Sequence, residues 1–151
     1  MVRSTAFLIG ALAMMQAAMA MTDGQYRIKQ GTNFITANIS TTASNAYLAP
    51  LDASKDQIWE LKRQPGDDFY FSSPKTGRHI GIDKFDERAP IVIGSQQQRW
   101  KLWSFNDEYQ IVHPDKYGEE DLTIGSLNSA VVLRDLYGAP LASTVWYLVR
   151  V

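Results

Sequence analysis

A chain of 151 residues without a single cysteine has no disulfide to staple it and no Cys-type zinc site to organise it, so its fold must rest on packing alone. Its 15 basic and 16 acidic residues nearly cancel, and no basic stripe runs through the sequence, which argues against nucleic acid or an anionic membrane surface as a partner. All five methionines fall at positions 1, 14, 15, 19 and 21, so the core has to be built from Trp, Tyr, Phe, Leu, Ile and Val.

The first element is Arg3, the apolar run from Ala6 to Met15 and the small-residue ending Ala18-Met19-Ala20. These are the three parts of a secretory signal peptide over residues 1–20, with cleavage expected after Ala20. The run is too short to cross the ~30 Å of a bilayer's hydrocarbon, and no second stretch of that kind follows, so no membrane insertion is expected. The mature chain is therefore expected to be secreted and extracellular. Removing residues 1–20 from the 151 leaves 131, which suits one domain over 21–151. Arg3 leaves with the signal, and the net charge moves from −1 to −2.

From Gly24 onward apolar residues alternate over short runs broken by Gly, Pro, Asn and Asp, and no segment keeps a 3.6-residue period, which predicts an all-β chain. The predicted strands are, in order, "QYRIKQ", "NFITANI", "AYLAPL" and "QIWELKR"; "DFYFSS", "RHIGID", "PIVIG" and "QRWKLWS"; and "EYQIVH", "DLTIGS", "AVVLRDL" and "TVWYLVR". They form three sets of four. Tyr26, Tyr70 and Tyr109 mark the first strand of each set, and Trp59, Trp100 and Trp146 the fourth. Leu61, Leu102 and Leu148 follow the Trp residues at i+2, on the same strand face, so each Trp–Leu pair is expected to enter a common core. Three units of this size close as a threefold barrel with a hairpin cap, a β-trefoil, whereas closed propellers usually need at least four blades. The lobes are expected at about 24–63, 67–104 and 106–151, joined by the turns "RQPGDD" and "SFNDE", with "HPDKYGEED" as the longest polar loop inside a lobe.

Several residues invite a functional reading and favour a plainer one. Trp103 lies outside the threefold pattern and reads as a partly covered rim position. His79 and His113 sit in no metal-ligand pattern, and "HPD" leaves a strand instead of joining helices. The acidic clusters "GDD" and "GEED" lack the spacing of a calcium loop and read as solvated turns. There is no G-x-S-x-G elbow, P-loop or Cys nucleophile, so no catalytic residue, metal or cofactor is assigned and a binding protein is expected in place of an enzyme. Asn38-Ile39-Ser40 is an N-glycosylation sequon.

Gln57-Ile58-Trp59 and Gln98-Arg99-Trp100, with Thr144-Val145-Trp146 keeping only the Trp, resemble the Gln-x-Trp signature of the ricin B-chain-like β-trefoils, a family of carbohydrate-binding modules. The resemblance spans Gly24 to Val151. It implies a lectin whose partners are glycans or glycoproteins, held by an Asp near the second strand, an aromatic ring before the fourth, and an Asn or Gln ahead of the Gln-x-Trp. A carboxylate accepts paired hydroxyl hydrogen bonds, a ring stacks on the apolar face of a sugar, and an amide fixes its orientation. Lobe 1 then offers Tyr47, Asp56 and Gln57, with Thr36 where the acid aligns. Lobe 2 offers Asp83, Phe85, Gln97 and Gln98 and is the most complete. Lobe 3 has Thr123 at the aligned position, with Asp121 and Tyr137 nearby. The two Gln-x-Trp glutamines also have a structural reading, in which they satisfy backbone groups where strands meet. The same fold serves cysteine-free fungal protease inhibitors, so the alternative is an extracellular inhibitor of a secreted protease acting through a loop such as "KFDERAP", "HPDKYGEED" or "DLYGAPLAS".

Overall fold

The computed structural model describes residues 21–38 and 44–151, so the expected signal segment 1–20 lies outside the described residues. The alternating pattern is realised as strands β1 (Gly24–Gln30), β2 (Asn33–Thr36), β3 (Ser44–Asn45), β4 (Tyr47–Pro50), β5 (Trp59–Gln64), β6 (Asp68–Ser72) and β7 (His79–Ile82). β8 (Ile91–Gly94), β9 (Trp100–Phe105), β10 (Glu108–Tyr117), β11 (Glu120–Leu127), β12 (Ala130–Asp135) and β13 (Tyr147–Arg150) complete the set. β4 lies within the predicted strand "AYLAPL", whereas β3 precedes it and is not among the predicted strands; between them Ala46 donates its N–H to the Ile91 carbonyl at 2.8 Å.

Six strands close a barrel. β1 pairs with β5, β5 with β6, β6 with β9, β9 with β10, and β13 with β1. The ring is completed between β10 and β13 by Tyr109 and Trp146, whose backbone groups exchange two hydrogen bonds of 2.8 Å. The remaining strands form the hairpins β2–β4, β7–β8 and β11–β12. These meet as a triangular cap through β3–β8, the Pro90–Val132 bridge and the Ala130–Tyr47 pair. A six-stranded barrel capped by three hairpins is a β-trefoil, as the repeat predicts.

The three Trp residues explain why the repeated strand recurs. Each is fully buried, and each indole N–H donates to an Ile carbonyl on the second strand of its own lobe: Trp59 to Ile35 at 3.1 Å, Trp100 to Ile80 at 3.1 Å and Trp146 to Ile124 at 2.8 Å. One side chain thus fills the barrel and ties it to its cap. Leu61 and Leu102 are buried beside them, and Leu148 packs against the same cluster.

Two sequence expectations need correction. The partner of Trp100 across the barrel is Phe69, just as Tyr26 faces Trp59 and Tyr109 faces Trp146, so the second anchor is Phe69 and not Tyr70. A one-residue step reverses the face of a strand, and Tyr70 accordingly points outward, its hydroxyl accepting from Arg99 Nε at 3.4 Å. "HPDKYGEED" is no loop: β10 runs through it to Tyr117, and only Gly118, at φ 64°, and Glu119 turn the chain into β11. An irregularity in the β10–β11 register between Val112 and Lys116 accommodates Pro114, which has no N–H for the ladder.

Candidate functional site

The Ile35, Ile80 and Ile124 carbonyls place the lobes in register, so Thr36, Gly81 and Gly125 occupy equivalent positions. This is where the resemblance asks for an Asp, and in lobe 3 it corrects the sequence alignment from Thr123 to Gly125. None of the three is acidic, and each place is filled from within. Thr36 is fully buried, its hydroxyl accepting from Gln57 Nε2 at 3.0 Å. A Cβ at Gly81 would collide with the Gln98 amide. A Cβ at Gly125 would lie 2.6 Å from Arg134 Cγ and 2.8 Å from the Ser143 carbonyl. Thr123, two residues back, is buried and donates to the Ile111 carbonyl at 2.9 Å.

In lobe 1, Gln57 is spent on the fold. Its Oε1 accepts from Asp52 N–H at 3.0 Å and its Nε2 donates to the Pro50 carbonyl at 2.9 Å. Asp56 is 1% exposed and accepts from the Ser73 hydroxyl at 2.7 Å, a bond that ties lobe 1 to lobe 2. Tyr47 is half-buried, with Lys55 Nζ 5.8 Å from its ring centre. Asn38 is exposed, while Ile39 and Ser40 of its sequon lie outside the described residues.

In lobe 2, Gln98 clamps one residue from both sides: Ile82 N–H donates to its Oε1 at 3.0 Å, and its Nε2 donates to the Ile82 carbonyl at 2.8 Å. These bonds pin the end of β7. Substituting Gln98→Ala is expected to reduce stability by about 1–3 kcal/mol, because two part-buried backbone groups lose their partner; urea unfolding checks this. Phe85 stacks on His113, the ring centres 4.3 Å apart, and meets Tyr117 edge-on at 5.7 Å. It therefore packs the junction of lobes 2 and 3 and is not an open platform. Asp83 and Gln97 are exposed.

His113 lies inside that junction, edge-on to Trp100 at 5.6 Å, and its Nδ1 accepts from Asp115 N–H at 3.0 Å. Burial holds its pKa below the ordinary 6.5, against a smaller opposing pull from the Asp115 carboxylate. Burial also lowers His79. Both groups bind protons more readily in the unfolded chain, so they stabilise the fold fully above pH 6.5, and that contribution is lost as pH falls from there through the depressed folded values. Urea midpoints measured from pH 7.5 down to pH 5 are expected to fall, and to fall less in His113→Phe.

Lobe 3 differs. Between β12 and β13, Tyr137 is 79% exposed and Leu141 67% exposed. Tyr137 is held by its backbone: its N–H donates to Asp135 Oδ1 at 3.1 Å, and Gly138 is glycine because any Cβ there would meet Asp135 Oδ2. Its neighbour Leu136 donates its N–H to the Asp121 carbonyl at 3.0 Å, which joins the Tyr137 turn to the start of β11. The Asp121 carboxylate, 15% exposed, pairs with Lys116 Nζ at 3.2 Å. An exposed aromatic, two carboxylates and an ammonium group thus belong to segments joined at one end of the β11–β12 hairpin, residue types able to stack on a flat apolar surface and to exchange hydrogen bonds with hydroxyls. The third expected part is replaced, since Ser143 stands ahead of Thr144 and its hydroxyl donates to the Pro140 carbonyl at 2.6 Å.

Among the described residues no three His, Asp or Glu side chains gather as a metal site, and no helix is long and apolar enough to cross a membrane. No protein-family model matches the sequence, and no curated protein matches it. Solved structures do. The Macrolepiota procera ricin B-like lectin in complex with lactose superposes with a TM-score of 0.72 at 15% identity, over 87% of this chain and 99% of that one. The chain has the β-trefoil fold of the ricin B-like lectins. This trefoil also matches the Rhizoctonia solani agglutinin, with a TM-score of 0.74 at 11% identity over 87% of this chain and 98% of that one. The designed threefold-symmetric protein ThreeFoil superposes with a TM-score of 0.66 at 17% identity, over 85% of this chain and 100% of that one. At such identities the backbone is shared while the side chains of each site are the chain's own, which is how the trefoil keeps its three Trp posts with no acid at any of the three aligned positions.

Proposed function

We propose that this trefoil is a secreted glycan-binding protein whose working site is the rim of lobe 3, with Tyr137 as the stacking ring, Asp121 and Asp135 as hydroxyl acceptors, and Lys116 orienting the Asp121 carboxylate. The observation that carries the reading is Tyr137, a large aromatic 79% exposed on a backbone turn held by Asp135 and bonded through Leu136 to Asp121. An exposed ring on a turn with neighbouring acceptors serves recognition of a polyhydroxylated partner better than it serves stability, because the ring buries little surface of its own. The fold it shares with a lectin solved with lactose supports sugar as the ligand class. The exposed Asn38 is the proposed acceptor for N-glycosylation.

The inhibitor alternative finds less support. In "KFDERAP", Arg88 has φ 65°, a left-handed conformation unlike the extended strand a protease cleft receives. Its N–H is also bonded to the Leu133 carbonyl at 2.7 Å, and the Ala89 carbonyl to Leu133 N–H at 2.9 Å. That backbone is occupied by β12. A glycan array with the purified protein tests the proposal: a reproducible group of related glycans is expected, and a blank array from folded protein would sink it.

A further inference from the structure

A cavity of about 300 Å³ opens between the segment joining β4 to β5 and the turn joining β6 to β7, with the outer face of β1 as its third wall. Three cations line it, one from each wall: Arg27 on β1, Lys55 and Lys75. Arg27 alternates with the inward-facing Tyr26 and Ile28, so it stands on the outside of the barrel, yet its Nε is buried without a hydrogen-bond partner. None of the three cations forms an ion pair among the described residues, and Lys55 Nζ lies over the Tyr47 ring at 5.8 Å.

The carboxylates on the same lining are turned to other work. Asp52 Oδ1 accepts from the Ser54 N–H and hydroxyl at 2.9 and 2.7 Å. Asp56, 1% exposed, uses Oδ2 for the Ser73 hydroxyl, and its Oδ1 is buried with no donor. A hydrogen-bonded carboxylate keeps its charge, so three cations against two carboxylates leave the cavity lining at a net +1, with Lys55 also acting on the Asp52 carboxylate. Its walls are also fixed. Lys55 closes its own turn with an N–H bond of 3.0 Å to the Asp52 carbonyl, Lys75 sits in a turn closed by Gly77 N–H to the Ser73 carbonyl at 2.7 Å, and the Ser73–Asp56 bond joins the two.

We infer that this recess between lobes 1 and 2 is an oxyanion site, taking the carboxylate or sulfate of an acidic saccharide or the same group free in solution. Three basic side chains on one recess outnumber its two carboxylates, and an oxyanion supplies the missing counter-charge. Charge-assisted bonds to carboxylate or sulfate are the strong ones, and the turns that carry Lys55 and Lys75 are already closed by their own backbone bonds. The volume is at the lower end of small-molecule pockets, which suits one charged group and the ring that carries it. The site shares no residue with the Tyr137 rim and stands or falls separately.

Nitrogen-15 chemical-shift titrations of the protein with glucose, glucuronate, galactose 6-sulfate and inorganic sulfate, at matched low ionic strength, test it. Glucuronate or galactose 6-sulfate is expected to give saturable shifts at Arg27, Lys55 and Lys75, and glucose none. Arg27→Gln and Lys75→Gln are each expected to weaken binding about tenfold, and Tyr137→Ala to leave it unchanged. Sulfate binding as tightly as the acidic sugars identifies the free oxyanion as the ligand, and tighter binding of the sugars identifies an acidic saccharide. Absence of saturable shifts there with all three anions, or shifts undiminished in Lys75→Gln, whose exposed side chain can be changed without disturbing the core, would overturn the inference.

Discussion

Trp146→Ala lowers the unfolding free energy by about 3–5 kcal/mol, the range for emptying a large aromatic from a packed core. Trp146 is fully buried, donates to the Ile124 carbonyl at 2.8 Å, and lies where β10 and β13 close the barrel against Tyr109. Removing the indole leaves a cavity and a buried carbonyl without its donor at the joint that completes the ring. Against the ~5–15 kcal/mol by which domains are stable, that loss leaves a marginal protein, and there is no disulfide to limit it. Trp146→Phe keeps most of the volume and is expected to lose less, about 1–3 kcal/mol for the orphaned carbonyl. Urea unfolding of both variants checks the pair. If phenylalanine were as damaging as alanine, shape would matter more than burial and the hydrogen bond together.

Tyr137→Ala has the largest expected effect on binding and almost none on folding. A side chain 79% exposed contributes little to the core, so stability should stay within about 0.5 kcal/mol of the parent. As the stacking ring of the proposed site it is the residue whose truncation should lose about 2 kcal/mol of glycan affinity, roughly thirtyfold. Asp121→Asn should weaken binding in the same direction, since it removes charged acceptors and releases Lys116. Asp83→Ala, exposed just after β7 in lobe 2, should leave affinity within about twofold. Calorimetric titration with an array-selected glycan reads all three.

Strand order, the threefold repeat and the burial of Trp59, Trp100 and Trp146 were legible in the sequence because period-two alternation and a repeated Trp–Leu pair are local signals that burial itself imposes. The Phe69-for-Tyr70 slip was not, since both residues are aromatic and only cross-strand register tells which one faces inward. The candidate site was less legible for a related reason. Gln57 and Gln98 look like ligand amides in one dimension, whereas in three they are consumed by Pro50, Asp52 and Ile82. Phe85 reads as a platform until His113, remote in sequence, covers its face. Tyr137 had a usable signal in the glycine and proline that follow it, which mark an exposed turn, but its proximity to Asp121 comes from β11–β12 pairing. The recess of Arg27, Lys55 and Lys75 had no sequence signal, because its three cations come from three separate segments.

The most direct measurement is to titrate an array-selected glycan into nitrogen-15-labelled protein and map the backbone shifts. The account expects them to cluster at Asp121 and from Asp135 to Leu141. Shifts centred instead on Asp83 and Gln97, or spread without saturation over the surface, would contradict lobe 3 as the binding site.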